Sequence, residues 1–86
     1  MNLKELLVGV ACEVVQGRPD VEVKMIHFDS RKVGEGDLFI AQRGVNADGH
    51  EYITKAVAAG AVAVVCEEVP GELKEGVVYV KTGNSS

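Results

Sequence analysis

The chain has 86 residues, enough for one domain, and a domain of this size buries only roughly 60% of the surface of its unfolded chain. Apolar residues make up 47% of the sequence, which provides for a core and argues against disorder. The net charge is −4 and charges of both signs are interspersed, which argues against a surface for nucleic acid or an anionic membrane. No apolar run approaches the length of about 20 residues that a membrane span requires.

The first elements along the chain are a short helix and two strands. Asn2 is suited to cap a helix that begins at Leu3 and ends near Gly9, with Glu5 as the reciprocal partner of a capping box. A strand is predicted over residues 13–16, and the alternation of residues 21–28 predicts a second one. Their closeness in sequence suggests an antiparallel pair.

The next strand and helix are better specified. Residues 38–41 are too apolar for a strand with one wet face, so we expect a central strand buried on both sides. Asp48 is the candidate N-cap of the following helix, Glu51 is its reciprocal partner, and Gly60 ends the helix. The residues expected to include its inward face are Tyr52, Ile53, Ala56, Val57 and Ala59.

A second fully apolar strand at residues 61–66 completes a strand–helix–strand unit, and residues 77–80 predict a last strand. The two strands of the unit should be parallel, with a right-handed crossover. The sequence therefore predicts an α/β fold: a small mixed sheet of about five strands with two helices, including one right-handed βαβ unit.

The cysteines and the N-terminal residues indicate the cellular compartment of the protein. Cys12 and Cys66 have apolar neighbours and no CxxC partner, so we expect two buried thiols in a reducing compartment, with a disulfide or metal ligation as alternatives. The apolar run before Cys12 imitates a lipoprotein signal poorly, because it is short, follows Glu5 and continues into a strand. We expect a soluble, cytoplasmic protein.

Two polar, glycine-containing loops at residues 29–37 and 42–49 flank the strand 38–41. In parallel units, ligands collect at the carboxyl ends of strands, which favours a polar-ligand pocket at the loop 42–49. The helix N-terminus there could tolerate a phosphate, but an N-cap carboxylate at Asp48 weakens that interpretation.

Individual residues of these loops have structural alternatives. Ser30 as a catalytic nucleophile would need His27 or His50 as a base; the simpler interpretation is a structural pair between Asp29 and Arg31 that leaves the Ser30 hydroxyl for a ligand. Residues 46–51 lack the spacing of a calcium loop, and His50 more simply fixes the loop. The chain contains no phosphate-loop motif, no G-x-G-x-x-G and no cluster of catalytic carboxylates.

A series of motifs with fixed spacing resembles the N-terminal domain of the Mur ligases, and it covers nearly the whole chain. Its members are Asp29-Ser30-Arg31, Val33, Gly36-Asp37-Leu38-Phe39, Ala41, Gly44, Asp48-Gly49-His50, Ile53, Ala56 and Gly60-Ala61 with Ala63-Val64-Val65. The resemblance implies a piece of a three-domain, ATP-dependent, amide-forming ligase of peptidoglycan synthesis. Residues 1–86 would then be an excised first domain that binds the UDP part of the substrate and is inactive alone.

The resemblance also implies ligand contacts and partners. By motif position, the uridine-diphosphate contacts are Phe28 and Ser30 on the first loop and Val45, Asn46 and Ala47 on the second, with no catalytic or metal-binding residue in this chain. Asp29 and Arg31 would be loop architecture. ATP and magnesium would bind in a central domain and the incoming amino acid in a C-terminal domain, and these two domains would be the protein partners.

Within the family, Ser30 and Gly49 resemble the ligase that adds diaminopimelate or lysine to UDP-N-acetylmuramoyl-L-alanyl-D-glutamate. The ligase that adds D-alanyl-D-alanine is an alternative; it usually has threonine and alanine at these positions. A module that binds a nucleotide or a protein without chemistry is a further alternative.

Overall fold

The structure is a computed structural model that describes residues 1–41, 49–67 and 71–82, with only the backbone described for 49–51. The described residues form α-helices, one 3-10 helix and strands. In chain order they are α1 (Leu3–Leu6), β1 (Cys12–Gln16), β2 (Ile26–His27), the 3-10 helix η1 (Ser30–Lys32), β3 (Leu38–Ile40), α2 (Gly49–Ala58), β4 (Ala63–Cys66) and β5 (Val78–Thr82).

Within the described residues, the strands form one five-stranded sheet in the order β1-β5-β4-β3-β2. Strands β2, β3, β4 and β5 are parallel to one another, and β1 is antiparallel to β5. The prediction of a mixed sheet of about five strands with two helices is confirmed, as is a parallel pair joined by a helix, here β3–α2–β4. The handedness of that crossover stays a prediction.

The predicted antiparallel pairing of residues 13–16 with residues 21–28 is wrong. Strand β1 pairs with β5, Val14 opposite Val80, while β2 is only two residues long and lies at the other edge of the sheet beside β3. The segment before β2 is held by the N-terminus instead: the Leu3 N–H donates to Val21 O and the Val23 N–H to Met1 O. Alternation marks a strand-like segment but does not choose its partner.

The inner strands of the sheet are buried on both faces. Phe39, Val64 and Tyr79 contribute to one core cluster with α2, whereas Leu38, Ala63 and Val78 contribute to the other with Leu3 of α1. Successive residues of β3, β4 and β5 thus alternate between two cores, as expected for strands without a solvent-facing side. The prediction that residues 38–41 form a central strand is confirmed.

The start of α1 at Asn2 and the end of α2 at Gly60 agree with the sequence, but α1 ends at Leu6, before the predicted Gly9, and Asn2 is bonded to Lys4 and not in a capping box with Glu5. The Asn2 side chain accepts from the Lys4 N–H at 2.9 Å and caps α1. At the end of α2 the Ala61 N–H donates to Ala56 O and the Gly60 N–H to Val57 O, the two bonds of a Schellman motif. Gly60 has φ +113°, a conformation that glycine adopts at little cost.

The inward face of α2 lies within the set of residues expected to include it. Ile53, Ala56 and Val57 are buried, but Tyr52 and Ala59 are exposed. Residue Asp48, predicted as the N-cap, lies outside the described residues, and so does the side chain of its predicted partner Glu51.

Candidate nucleotide site

The candidate site lies where parallel strands end together. His27 of β2 is in register with Phe39 of β3, so Phe28 leaves β2 at the end of the sheet where β3 finishes at Ile40. Because β2 and β3 are parallel, the loops that follow them leave the sheet at the same edge. This is the position predicted for a ligand, although residues 42–48 lie outside the described part of the chain.

The two predicted contacts on the first loop differ in exposure. Phe28 is 56% exposed, so its ring is accessible to a ligand, while Ser30 is only 6% exposed and begins η1. Because Ser30 is buried, the access of a ligand to its hydroxyl depends on the conformation of the turn. The other predicted contacts, Val45, Asn46 and Ala47, lie outside the described residues, so they stay predictions.

Asp29 holds the turn from inside. Its Oδ1 accepts from the Arg31 N–H at 2.9 Å and from Arg31 Nε at 3.1 Å, and its Oδ2 accepts from Arg31 Nη2 at 2.9 Å. The guanidinium hydrogen bonds, followed by the bond from the Arg31 N–H, lower the pKa of the Asp29 carboxyl to about 2. The interpretation of Asp29 and Arg31 as loop architecture agrees with these contacts.

A second carboxylate of the same loop, Asp37, belongs to the motif series but was given no role at the site by the sequence. Asp37 is 6% exposed, and its Oδ2 accepts from the Gly34 N–H at 2.8 Å and lies 3.2 Å from His27 Nε2. An aspartate directly before a buried strand and three residues after Gly34 is the signal that could have indicated a side-chain-capped turn.

The described residues do not support the alternative that Ser30 is a catalytic nucleophile. The ring nitrogen His27 Nε2 is directed to Asp37, which is a structural contact within the loop. The side chain of His50, the other histidine, lies outside the described residues. The assignment of Ser30 as a ligand contact stays a prediction.

The two cysteines are separate. Both are free thiols; Cys12 packs on the α1 side of the sheet and Cys66 on the α2 side. Burial raises the pKa of the Cys66 thiol to about 11. The expectation of two free thiols agrees with this arrangement, but only Cys66 is buried as predicted, because Cys12 is half-buried.

Among the described residues there is no group of three or more side chains suited to hold a metal ion. A search of the same residues for a helix long and apolar enough to cross a membrane also finds none.

Two shallow grooves of the described surface lie away from the carboxyl edge. One lies at the opposite end of the sheet, between residues 16–21 and 73–78, and the other between α2 and residues 72–74. Neither is lined by Phe28 or Ser30, so the candidate site rests on strand ends and loop contacts and not on these grooves.

Comparison with known proteins identifies the family. A model described as "Mur ligase family, catalytic domain" matches residues 22–83, most of the chain. The chain belongs to the Mur ligase family. It is 45% identical over 85 residues to the UDP-N-acetylmuramoyl-L-alanyl-D-glutamate–2,6-diaminopimelate ligase of Bacteroides fragilis, and 53% identical over 70 residues to the protein of the same name from Cytophaga hutchinsonii.

These Mur ligases are much longer than this chain. The alignments cover 99% and 81% of the chain but 18% and 14% of the two relatives, so the chain spans less than a fifth of their length. A solved Mur ligase, the UDP-N-acetylmuramoylalanyl-D-glutamyl-2,6-diaminopimelate–D-alanyl-D-alanyl ligase of Acinetobacter baumannii, superimposes with a TM-score of 0.78 over 96% of this chain and 18% of its own. At 23% identity, this likeness supports the fold alone.

Proposed function

We propose that residues 1–86 form the domain of an ATP-dependent Mur ligase that anchors the UDP part of UDP-N-acetylmuramoyl-L-alanyl-D-glutamate. The observation that carries this proposal is the 45% identity over 99% of the chain to a ligase named for that substrate. The whole enzyme would join an amino acid to the substrate during peptidoglycan synthesis, and this domain alone would be inactive.

The geometry of the carboxyl edge supports the anchoring role. Phe28 and Ser30 follow β2 at the edge where β3 also ends, and residues 45–47 come after β3 in the sequence. Phe28 would offer an exposed ring, Ser30 a hydroxyl, and Val45, Asn46 and Ala47 mainly main-chain groups around the uracil. Both loops would thus contact one nucleotide from neighbouring strands.

Diaminopimelate is the amino acid that we propose for the whole enzyme. The relatives from Bacteroides fragilis, Cytophaga hutchinsonii and Clostridium acetobutylicum all carry it in their names. The D-alanyl-D-alanine-adding ligase remains the alternative within the family. A binding module without chemistry is disfavoured because these sequence relatives are all named as ligases.

ATP and magnesium belong to the proposed reaction but do not fit this chain. The sequence has no phosphate-loop motif, and the described residues contain no metal-ligand cluster. We therefore propose that both bind in a central domain, that the amino acid binds in a C-terminal domain, and that both domains are partners of this one. The two free thiols favour a cytoplasmic location.

An NMR titration of the isotopically labelled chain tests the anchoring role. UDP should produce saturable shifts at the amides of Ser30 and residues 45–47, and ADP at equal concentration should not. Phe28→Ala should weaken UDP binding, whereas Met25→Ala should not, although Phe28 and Met25 are equally exposed, at 56%. Equal shifts with UDP and ADP, or none with either, would contradict the proposal.

A further inference from the structure

Asp37 is a buried carboxylate close to the proposed ligand contacts. Among the described residues, Asp37 is the only buried side chain with an ionisable carboxyl group, and it is 6% exposed, like Ser30. Burying a carboxylate costs free energy unless hydrogen bonds replace its hydration. The burial of Asp37, seven residues after the proposed ligand contact Ser30, therefore requires hydrogen-bond partners within the fold.

The contacts of Asp37 connect both ends of the turn that carries Ser30. One end is His27, whose Nε2 lies 3.2 Å from Asp37 Oδ2; the other is Gly34, whose N–H donates to the same oxygen at 2.8 Å. Since a carboxylate only accepts, His27 Nε2 supplies the hydrogen of its contact. A single oxygen atom thus fixes the two limits of residues 28–33.

Asp37 is also anchored to the scaffold. Its own N–H donates to Gly34 O at 3.2 Å, and the next residue begins β3 in the centre of the sheet. The neighbouring Gly36 N–H donates to Gly60 O at 3.0 Å, which connects the turn to the end of α2. Through these hydrogen bonds, both ends of the Ser30 turn are attached to the sheet and to the end of α2.

Asp37 lies at the end of β3 opposite to the proposed ligand, so it does not contact the nucleotide itself. It precedes β3, at the amino end of that strand, whereas the proposed ligand lies beyond the carboxyl ends of the strands. Any effect of Asp37 on binding must be transmitted through the turn. Holding a contact residue in its bound conformation raises affinity because less freedom is lost on binding.

We propose that Asp37, together with His27, is a positioning residue for the nucleotide: their contact fixes residues 28–33 so that Phe28 and Ser30 are presented to UDP. This inference rests on the proposed function. Asp29 stabilises the same turn from within, so the turn is held at its limits by one carboxylate and at its centre by another.

The test measures UDP affinity in variants that remain folded. Asp37→Asn should weaken UDP binding about tenfold, the change expected when one charge-assisted hydrogen bond is lost. Glu35→Gln is the matched control, because Glu35 lies in the same turn, is exposed and loses the same charge. It should bind UDP as the unaltered chain does.

A second pair of variants tests the donor without changing Asp37. His27→Gln keeps a side-chain N–H that can reach the carboxylate and should retain most of the affinity, whereas His27→Leu should lose about as much as Asp37→Asn. This pair decides the question if Asp37→Asn does not fold. Equal losses in the glutamine and leucine variants would overturn the hydrogen-bond role.

General destabilisation is separated from positioning by a core variant elsewhere. Val23→Ala removes volume from the α1-side core, where Val23 is 1% exposed, and should lower stability while leaving UDP affinity unchanged. If it weakens UDP binding as much as Asp37→Asn, or if folded Asp37→Asn binds normally, the positioning role is overturned. Failure of the unaltered chain to bind UDP would overturn the proposed function as well.

Discussion

Two neighbouring parallel connections in this molecule are held by different physical means. The connection from β3 to β4 runs through α2, whose Ile53, Ala56 and Val57 are packed into an apolar core. The connection from β2 to β3 runs through η1 and is held mainly by carboxylates, Asp29 within the turn and Asp37 at its limits. The first connection is scaffold, and the second carries the proposed ligand contacts.

The difference has a functional meaning. Apolar packing is nondirectional and tolerates small shifts, so it stabilises a helix without fixing each side chain to a fraction of an ångström. Hydrogen bonds to a carboxylate have defined lengths and angles, so they fix the backbone that presents Ser30. Directional contacts would suit the role proposed for this turn, which is to hold two contacts of a nucleotide.

The largest expected effect on stability comes from disrupting the contact between the two connections, at Gly60 and Glu35. A Cβ on Gly60 would lie 2.7 Å from Glu35 Cα and 3.0 Å from Glu35 N, and the residue has φ +113°. Gly60→Ala should therefore lower the free energy of unfolding by about 2–4 kcal/mol, from backbone strain and overpacking together. Denaturant unfolding measures this loss.

Gly9→Ala is the matched control for this prediction. Gly9 also has a positive φ, +82°, but no atom lies within 4 Å of a Cβ built there. Only the strain should remain, about 1–2 kcal/mol. If both variants lost the same stability, the contact between Gly60 and the Glu35 turn would contribute nothing.

The contrast between the connections also explains what the sequence could predict. Continuous apolar runs and a terminal glycine are local signals, so β3, β4, the end of α2 at Gly60 and the mixed sheet were predictable. The partner of β1 was not, because Val14 is paired with Val80, 66 positions along the chain, and alternation contains no information about distance.

The candidate site was predictable in part. The Asp29–Arg31 pair followed from two opposite charges two residues apart, and the structure shows it. The contact of Asp37 with Gly34 is local and had a sequence signal, whereas its contact with His27 did not follow, because the two residues meet only when β2 pairs with β3. The contacts proposed at residues 45–47 rest on the resemblance and remain predictions.

The third parallel connection, from β4 to β5, offers a smaller test of directional anchoring. Tyr79 is 2% exposed, and its hydroxyl accepts from the Lys74 N–H at 3.1 Å, which holds this connection against the α2-side core. Tyr79→Phe should lower the free energy of unfolding by about 1 kcal/mol, since the Lys74 N–H loses its acceptor. Tyr52→Phe, at a ring 42% exposed, should change stability by less than about 0.5 kcal/mol in denaturant unfolding. A similar loss in both variants would mean that the buried hydroxyl has no anchoring effect.

The smallest expected effect concerns Asp29, the half-buried carboxylate inside the Ser30 turn, and is best measured by titration. The folded pKa of Asp29, about 2, is below the ordinary 3.8, so its interaction with Arg31 stabilises the turn above about pH 3.8 and is lost as the pH falls through about 2. The carboxyl carbon shift of Asp29, followed by NMR from pH 6 downward, should have its midpoint near 2.

Two variants show whether hydrogen bonding or net charge lowers this pKa. Arg31→Met removes the guanidinium hydrogen bonds, the largest cause of the shift, but keeps the Arg31 N–H bond, so the midpoint should rise part of the way to 3.8. Lys32→Met removes a neighbouring positive charge, which is the smallest of the causes, and should move the midpoint much less. If both variants moved it equally, nearby charge alone would account for the shift. The Asp29 contacts would then hold the turn no more directionally than apolar packing holds α2, and the contrast between the two connections would rest on Asp37.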